Sequence, residues 1–160
     1  MTVQSKFIAP LLVTLFSLGP VYAAGGVQLL NAVFKDEVVK TADGKTEHKL
    51  MPFQHIAPGE TVVYVLTLKN QTAKPMDPPT ISVPLQKDLE YISAGSGAVV
   101  PDVSVDGGKN FATLATLSIK LDGGTQRPAR PADVTHIRWK FITAVKAGTE
   151  QKMSYTAKVK

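Results

Sequence analysis

Apolar and polar side chains alternate one by one along much of this chain, a period of two rather than the 3.6 of a helix. In "TVVYVLTLKN", Val62, Tyr64, Leu66 and Leu68 fall on one face, with Thr61, Val63, Val65, Thr67 and Lys69 on the other. "HIRWKF" sets Ile137, Trp139 and Phe141 against His136, Arg138 and Lys140, and "KMSYTAKV" sets Met153, Tyr155, Ala157 and Val159 against Lys152, Ser154, Thr156 and Lys158. "TLSIKL" alternates Leu117, Ile119 and Leu121 with Ser118 and Lys120. Strands of this kind bury one face and wet the other, as antiparallel sheets do. No stretch beyond the N-terminus has the spacing of an amphipathic helix.

Turn residues punctuate the alternation. Asp43-Gly44 separates "VFKDEVVK" from "KTEHKLM", a hairpin signal because both residue types tolerate positive φ. Pro58-Gly59 leads into the strand at 61, and Ala147-Gly148 into the last one. Pro75, Pro78, Pro79 and Pro84 confine their segment to loop or edge strand, because proline cannot donate to a ladder. Strands are therefore predicted over 27–39, 46–54, 60–69, 79–84, 89–94, 113–121, 134–142 and 151–159. The expected fold is all-β, an antiparallel sandwich of seven to eight strands forming one domain over 24–160.

The first 23 residues are set apart from that domain. Lys6 is the only charge before Lys35, and it precedes the apolar run "FIAPLLVTLFSLGPVYA", which closes on small residues with Val21 and Ala23 at the recognition positions. This is the pattern of a secretory signal peptide cut after Ala23. A retained anchor fits less well, since Pro10, Gly19 and Pro20 interrupt the run and Phe7 to Leu18 is short for a bilayer. The expected product is exported, to the periplasm or the cell surface, with no transmembrane anchor after cleavage. The chain has no cysteine, which excludes thiol chemistry, thiolate metal sites and lipid attachment through an N-terminal cysteine. A formal charge of +5, of which the leader carries one, suits either solubility or contact with anionic envelope components.

"IAPGETVVYVLTLKNQTAKPMDPPTISVPLQKDLEYISAGSG" resembles the domain of unknown function DUF11, the conserved repeat domain. The shared pattern is a proline-glycine turn, an alternating strand with a tyrosine that ends in asparagine, a proline-bearing segment and a Leu-x-Tyr strand. Here these are Pro58-Gly59, Tyr64, Asn70, Pro84, and Leu89 with Tyr91. "VSVDGGKNF", "DVTHIRWKF" and "AVKAGTEQKMSYTAKV" are similar to the remainder, so the likeness spans roughly 27 to 160. It implies an immunoglobulin-like sandwich in the bacterial envelope or at its surface. The chain departs from the pattern in holding one copy and in having Ala147 where proline is usual. The family has no agreed catalytic residues to carry over, and fold alone does not assign activity.

Candidate chemistry is sparse. The two Asp-Gly-Gly segments, at Asp106 and Asp122, lack the converging carboxylates of a calcium loop and the following helix of a phosphate loop, and are expected to be chain reversals. Glu47, His48, Met51 and His55, with His136 farther along, make a copper-like donor set. In a strand, however, His48 and Met51 point to opposite faces, and Pro52 breaks the register before His55. Ser96 in "SAGSGAV" lacks the spacing and setting of a nucleophile elbow. "NQT" at 70–72 fits a glycosylation acceptor but also a plain turn. Arg127, Arg130, Arg138 and Lys140 could form a patch for an anionic polymer. Nucleic acid is not the expected ligand, because Trp139 and Phe141 face the opposite way.

The sequence thus predicts a non-enzymatic envelope module without cofactor, structural in role or binding another envelope or surface protein through its sandwich surface or a sheet edge. A small periplasmic copper carrier and a binder of anionic envelope polymer stand as alternatives.

Overall fold

The computed structural model describes residues 21–23, 26–95, 97 and 99–160. The described residues form an all-β sandwich of two antiparallel sheets, with two single 3-10 turns at Leu114–Thr116 and Pro131–Asp133. The strands are β1 (Val21–Ala23), β2 (Val27–Lys40), β3 (Thr46–Met51), β4 (Thr61–Asn70), β5 (Thr80–Pro84), β6 (Leu89–Ala94), β7 (Asp102–Ser104), β8 (Ser118–Lys120), β9 (Gln126–Pro128), β10 (His136–Lys140) and β11 (Glu150–Val159). The large sheet runs β1-β2-β4-β11-β6, with β3 also on β2, and the small sheet runs β5-β10-β7. Among the described residues no helix is long and apolar enough to cross a membrane.

The alternation places the core as expected. Val62, Tyr64, Leu66 and Leu68 of β4 and Met153, Tyr155, Ala157 and Val159 of β11 are buried together, and Ile137, Trp139 and Phe141 meet them from the small sheet. Tyr64 and Tyr155 are register partners and stack with ring centroids 4.7 Å apart, 3° from parallel. Trp139 tilts onto Tyr155 at 6.2 Å, so the contact crosses from one sheet to the other. Such aromatic pairs add about 0.5–1.5 kcal/mol beyond the area they bury.

All eight predicted strands are present, and β1, β7 and β9 fall outside the eight predicted spans. The segment 113–121 differs most from expectation. It opens with the 3-10 turn, and only Ser118–Lys120 is strand, paired with Gln126–Pro128 in a separate two-stranded ribbon. Leu121 accordingly stays 44% exposed, because the ribbon does not enter the sandwich. The predicted leader falls mainly on residues outside those described, and so does Ser96. Within it, Val21–Ala23 pair with Val27–Leu29, a contact that a chain cut after Ala23 would lose.

Both Asp-Gly-Gly segments do reverse the chain. At the second, the Leu121 N–H donates to Thr125 C=O and both glycines take positive φ, closing the β8–β9 ribbon. At the first, Val103 and Ala112 exchange hydrogen bonds across the loop. The Asp106 carboxylate accepts from Ser104 Oγ, the Lys109 and Asn110 N–H groups and Asn110 Nδ2 at 2.7–3.1 Å. These donors, the Asn110 amide foremost, hold its carboxyl far below the ordinary carboxylate range. Its acceptor sites serve the turn itself, which leaves no open set of oxygens for a cation.

Candidate interaction surface

The feature that stands out of the sandwich is the β2–β3 hairpin. Strand β4 accompanies β2 only from Val27 to Lys35, whereas β3 pairs with β2 from Lys35 to Lys40. Residues 36–50 therefore form a two-stranded arm beyond the end of β4. Its tip is a three-residue loop, with Thr41 N–H donating to Lys45 C=O and Gly44 N–H to Thr41 C=O. Only Gly44 needs the left-handed region, at φ +80°, and Asp43 takes negative φ like every other non-glycine described. Asp43 contributes instead through its carboxylate, which accepts from Thr41 Oγ1 and pairs with Lys45 at 3.1 Å. At the base, Lys35 bridges Glu60 at 2.8 Å and Glu37 at 3.4 Å. These partners, Glu60 foremost, raise the Lys35 pKa.

The arm carries apolar side chains on the solvent side. Alternation from the core residues puts Leu30, Ala32, Phe34, Val38 and Leu50 on the outward face of the large sheet, with Val63 and Val65 beside them. Val63 is screened by its neighbours, but Leu50 and Val38 remain 43% and 62% exposed. On the arm itself Val38 and Leu50 lie diagonally about the Asp36–His48 pair, so apolar surface continues from the sheet only as these two exposed side chains.

The copper-like set is spread over separate surfaces. His48 lies on the outward face of β3, its Nδ1 3.0 Å from both Asp36 oxygens, and Met51 turns to the opposite face across from Lys35. His55 is exposed in the loop after Pro52. His136 belongs to the small sheet, its Nδ1 3.2 Å from Thr135 Oγ1 and its ring against Gly108. Among the described residues no group of three or more His, Cys, Asp or Glu side chains is placed to hold a metal ion.

The basic set is partly neutralised. Arg127 Nη1 and Nη2 donate to the two Asp133 oxygens at 2.6 Å each, and this fork holds the Asp133 carboxyl down at about 2. Arg138 Nη2 donates to Asp102 at 3.2 Å, and its guanidinium lies 4.2 Å from the centre of the Phe111 ring. Arg130 and Lys140 are exposed, and no ion pair is described for either. Two of the four cations are therefore paired inside the fold, Arg138 between β10 and β7 and Arg127 between β9 and the 3-10 turn at Pro131–Asp133.

Asn70 is a structural residue whose role the sequence hinted at only through the strand-ending asparagine. It is 1% exposed. Its Nδ2 donates to the Lys74 and Val145 carbonyls at 2.9 Å each, while its Oδ1 accepts from the Thr72 N–H and hydroxyl. The amide that a glycan would need is thus consumed inside the fold. The NQT triplet is a loop anchor.

No protein-family model matches the chain, and neither does any curated protein or solved structure at a significant level.

Proposed function

We propose that this protein is an exported, non-enzymatic envelope module, a relative of the DUF11 domains, that binds another protein through the β2–β3 arm. The observation that carries this reading is the arm itself, a two-stranded projection with a strand edge left open and two exposed apolar side chains, Val38 and Leu50, on one face. Export is supported by the Lys6-led apolar leader. An open edge offers backbone hydrogen bonds to an incoming strand, and side chains on alternate faces supply selectivity. The strongest polar clusters, around Asp106, Asn70 and Asp133, are each satisfied by neighbours within the fold. That is the behaviour of structural rather than catalytic groups.

Crosslinking in the intact envelope, followed by recovery of the protein, tests this. A reproducible protein partner is expected, lost when Val38→Glu and Leu50→Glu are combined and kept when Lys140→Glu is made. A partner indifferent to the arm variants would contradict the proposed site. A co-purifying copper ion or glycan would favour the carrier or polymer-binding alternative instead.

A further inference from the structure

A sheet ends in two strands that each offer a row of unpaired backbone groups, and soluble proteins usually blunt these rows. Here most are blunted. In β6 the register shifts against β11 between Thr156 and Ala157. Strand β5 ends at Pro84 and follows Pro78 and Pro79, while β1 and β7 are three residues long. Strand β3 is different. Its six residues contain no proline and no register shift, and among the described residues β2 is its only partner.

The turn decides which β3 groups face the open side. Thr41 donates its N–H to Lys45, so the mutually bonded pairs fall at alternate positions beyond it, Val39 with Glu47 and Glu37 with Lys49. Thr46, His48 and Leu50 therefore direct their N–H and C=O groups away from β2. A second β3 lying antiparallel must set at least two of these three residues opposite members of its own three. That requirement leaves two-fold registers centred on Glu47, on His48 or on Lys49. The first opposes glutamate to glutamate and the last lysine to lysine, both unfavourable across a strand pair. Centring on His48 sets Glu47 opposite Lys49 of the second copy and Lys49 opposite its Glu47. These pairs fall at the non-hydrogen-bonded positions, where side chains approach most closely.

We propose that the β3 edge pairs with β3 of a second copy of this chain, antiparallel and centred on His48, joining two large sheets into one. This names the partner of the arm and rests on the reading of the arm as a protein-binding site. Because Lys49 already lies across from Glu37, the charges alternate as Glu37, Lys49 and the second copy's Glu47 over three adjacent strands. On the outward face the two His48 rings flank the axis, each held by its own Asp36, and Leu50 covers Thr46 of the second copy. The arrangement is self-complementary and closed, as a two-fold interface requires. A single pair of short strands buries less than a standard interface, so the association is weak and reversible.

Sedimentation equilibrium of the purified protein, from about 10 µM to about 1 mM, reads the association directly. A monomer–dimer equilibrium is expected. Glu47→Lys or Lys49→Glu alone turns both symmetry-related pairs repulsive and weakens it about tenfold. The double swap E47K/K49E regenerates both pairs with reversed sign and restores it. Because the chain has no cysteine, His48→Cys gives a disulfide-linked dimer on mild oxidation and Thr46→Cys does not. Unchanged Trp139 fluorescence shows that each variant is folded. A wild-type protein that is monomeric at about 1 mM, a dimer indifferent to the single swaps, or a Thr46→Cys chain that crosslinks as well as His48→Cys would overturn the proposal. If the monomeric protein still retains an envelope protein, and His48→Pro abolishes that retention, self-pairing fails while the module reading stands. Retention of nothing by either route removes both.

Discussion

Truncating Ile137 to alanine gives the sharpest test of how every-other-residue burial sustains the sandwich. The side chain is fully enclosed, at 0% exposure, between Val83 and Val103 on the neighbouring strands. Removing three carbons from such a site forfeits their transfer energy and leaves a cavity that the sheets only partly close, together about 2–5 kcal/mol. Ile137→Val removes one methylene and costs about 0.5–1.5 kcal/mol. Lys140, three residues on and facing water on the same strand, should change stability by no more than about 0.5 kcal/mol when cut to alanine. A single domain of this size is stable by about 5–15 kcal/mol, so the first change removes a large share of the total. Trp139, the only tryptophan and 1% exposed, reports unfolding by fluorescence in urea. With a slope of about 1.5 kcal/mol per molar, a loss of about 3 kcal/mol moves the midpoint down by about 2 M. Equal midpoint shifts for Ile137→Ala and Lys140→Ala would refute the assigned faces.

Burial raises the pKa of Tyr64, Tyr91 and Tyr155 above the ordinary 10.0, so the folded state keeps protons that the unfolded state releases. Stability is fully present below pH 10 and is lost progressively as pH rises above it. Tyrosinate absorbance followed alongside Trp139 fluorescence checks this, and three tyrosines ionising near pH 10 in a still-folded protein would contradict it. In acid the sign reverses. Asp133, held at about 2 by Arg127, and Asp106, lowered by the Asn110 amide, bind fewer protons folded than unfolded. Their contribution is complete above pH 3.8 and declines as pH falls toward 2, so the thermal midpoint should drop across that window, less steeply in Asp133→Asn. Asn70→Ala strips a donor from two carbonyls and an acceptor from Thr72, and should cost about 1–3 kcal/mol in the same urea assay. A cost near zero would show that the loop from 71 to 76 does not depend on Asn70.

The parts of the fold legible in the sequence are those decided by burial. Strands β4, β10 and β11 show their faces because one side of each meets the other sheet, and Tyr64, Ile137 and Met153 cannot be wetted without loss. The same pattern misleads at Leu117 to Leu121, where alternation is present but the segment pairs only with its own ribbon. Strand β7 is too short to show a period, and its place follows from pairing with β10, more than thirty residues away in sequence. The arm was visible as a hairpin, but not its open edge. Which β3 groups face outward depends on the Thr41–Lys45 closure, and that leaves no trace in hydropathy. For the basic residues, the decisive facts are the carboxylates they meet, Asp102 for Arg138 and Asp133 for Arg127. Those pairings follow from strand register and a 3-10 turn rather than from composition.

Amide hydrogen exchange along β3 in dilute solution tests the open edge most directly. The account predicts slow exchange at Glu47 and Lys49, whose N–H groups bond β2, and fast exchange at Thr46, His48 and Leu50. Equal protection at all five amides, or the reverse alternation, would show that the edge is covered or turned the other way, and the arm would lose its role.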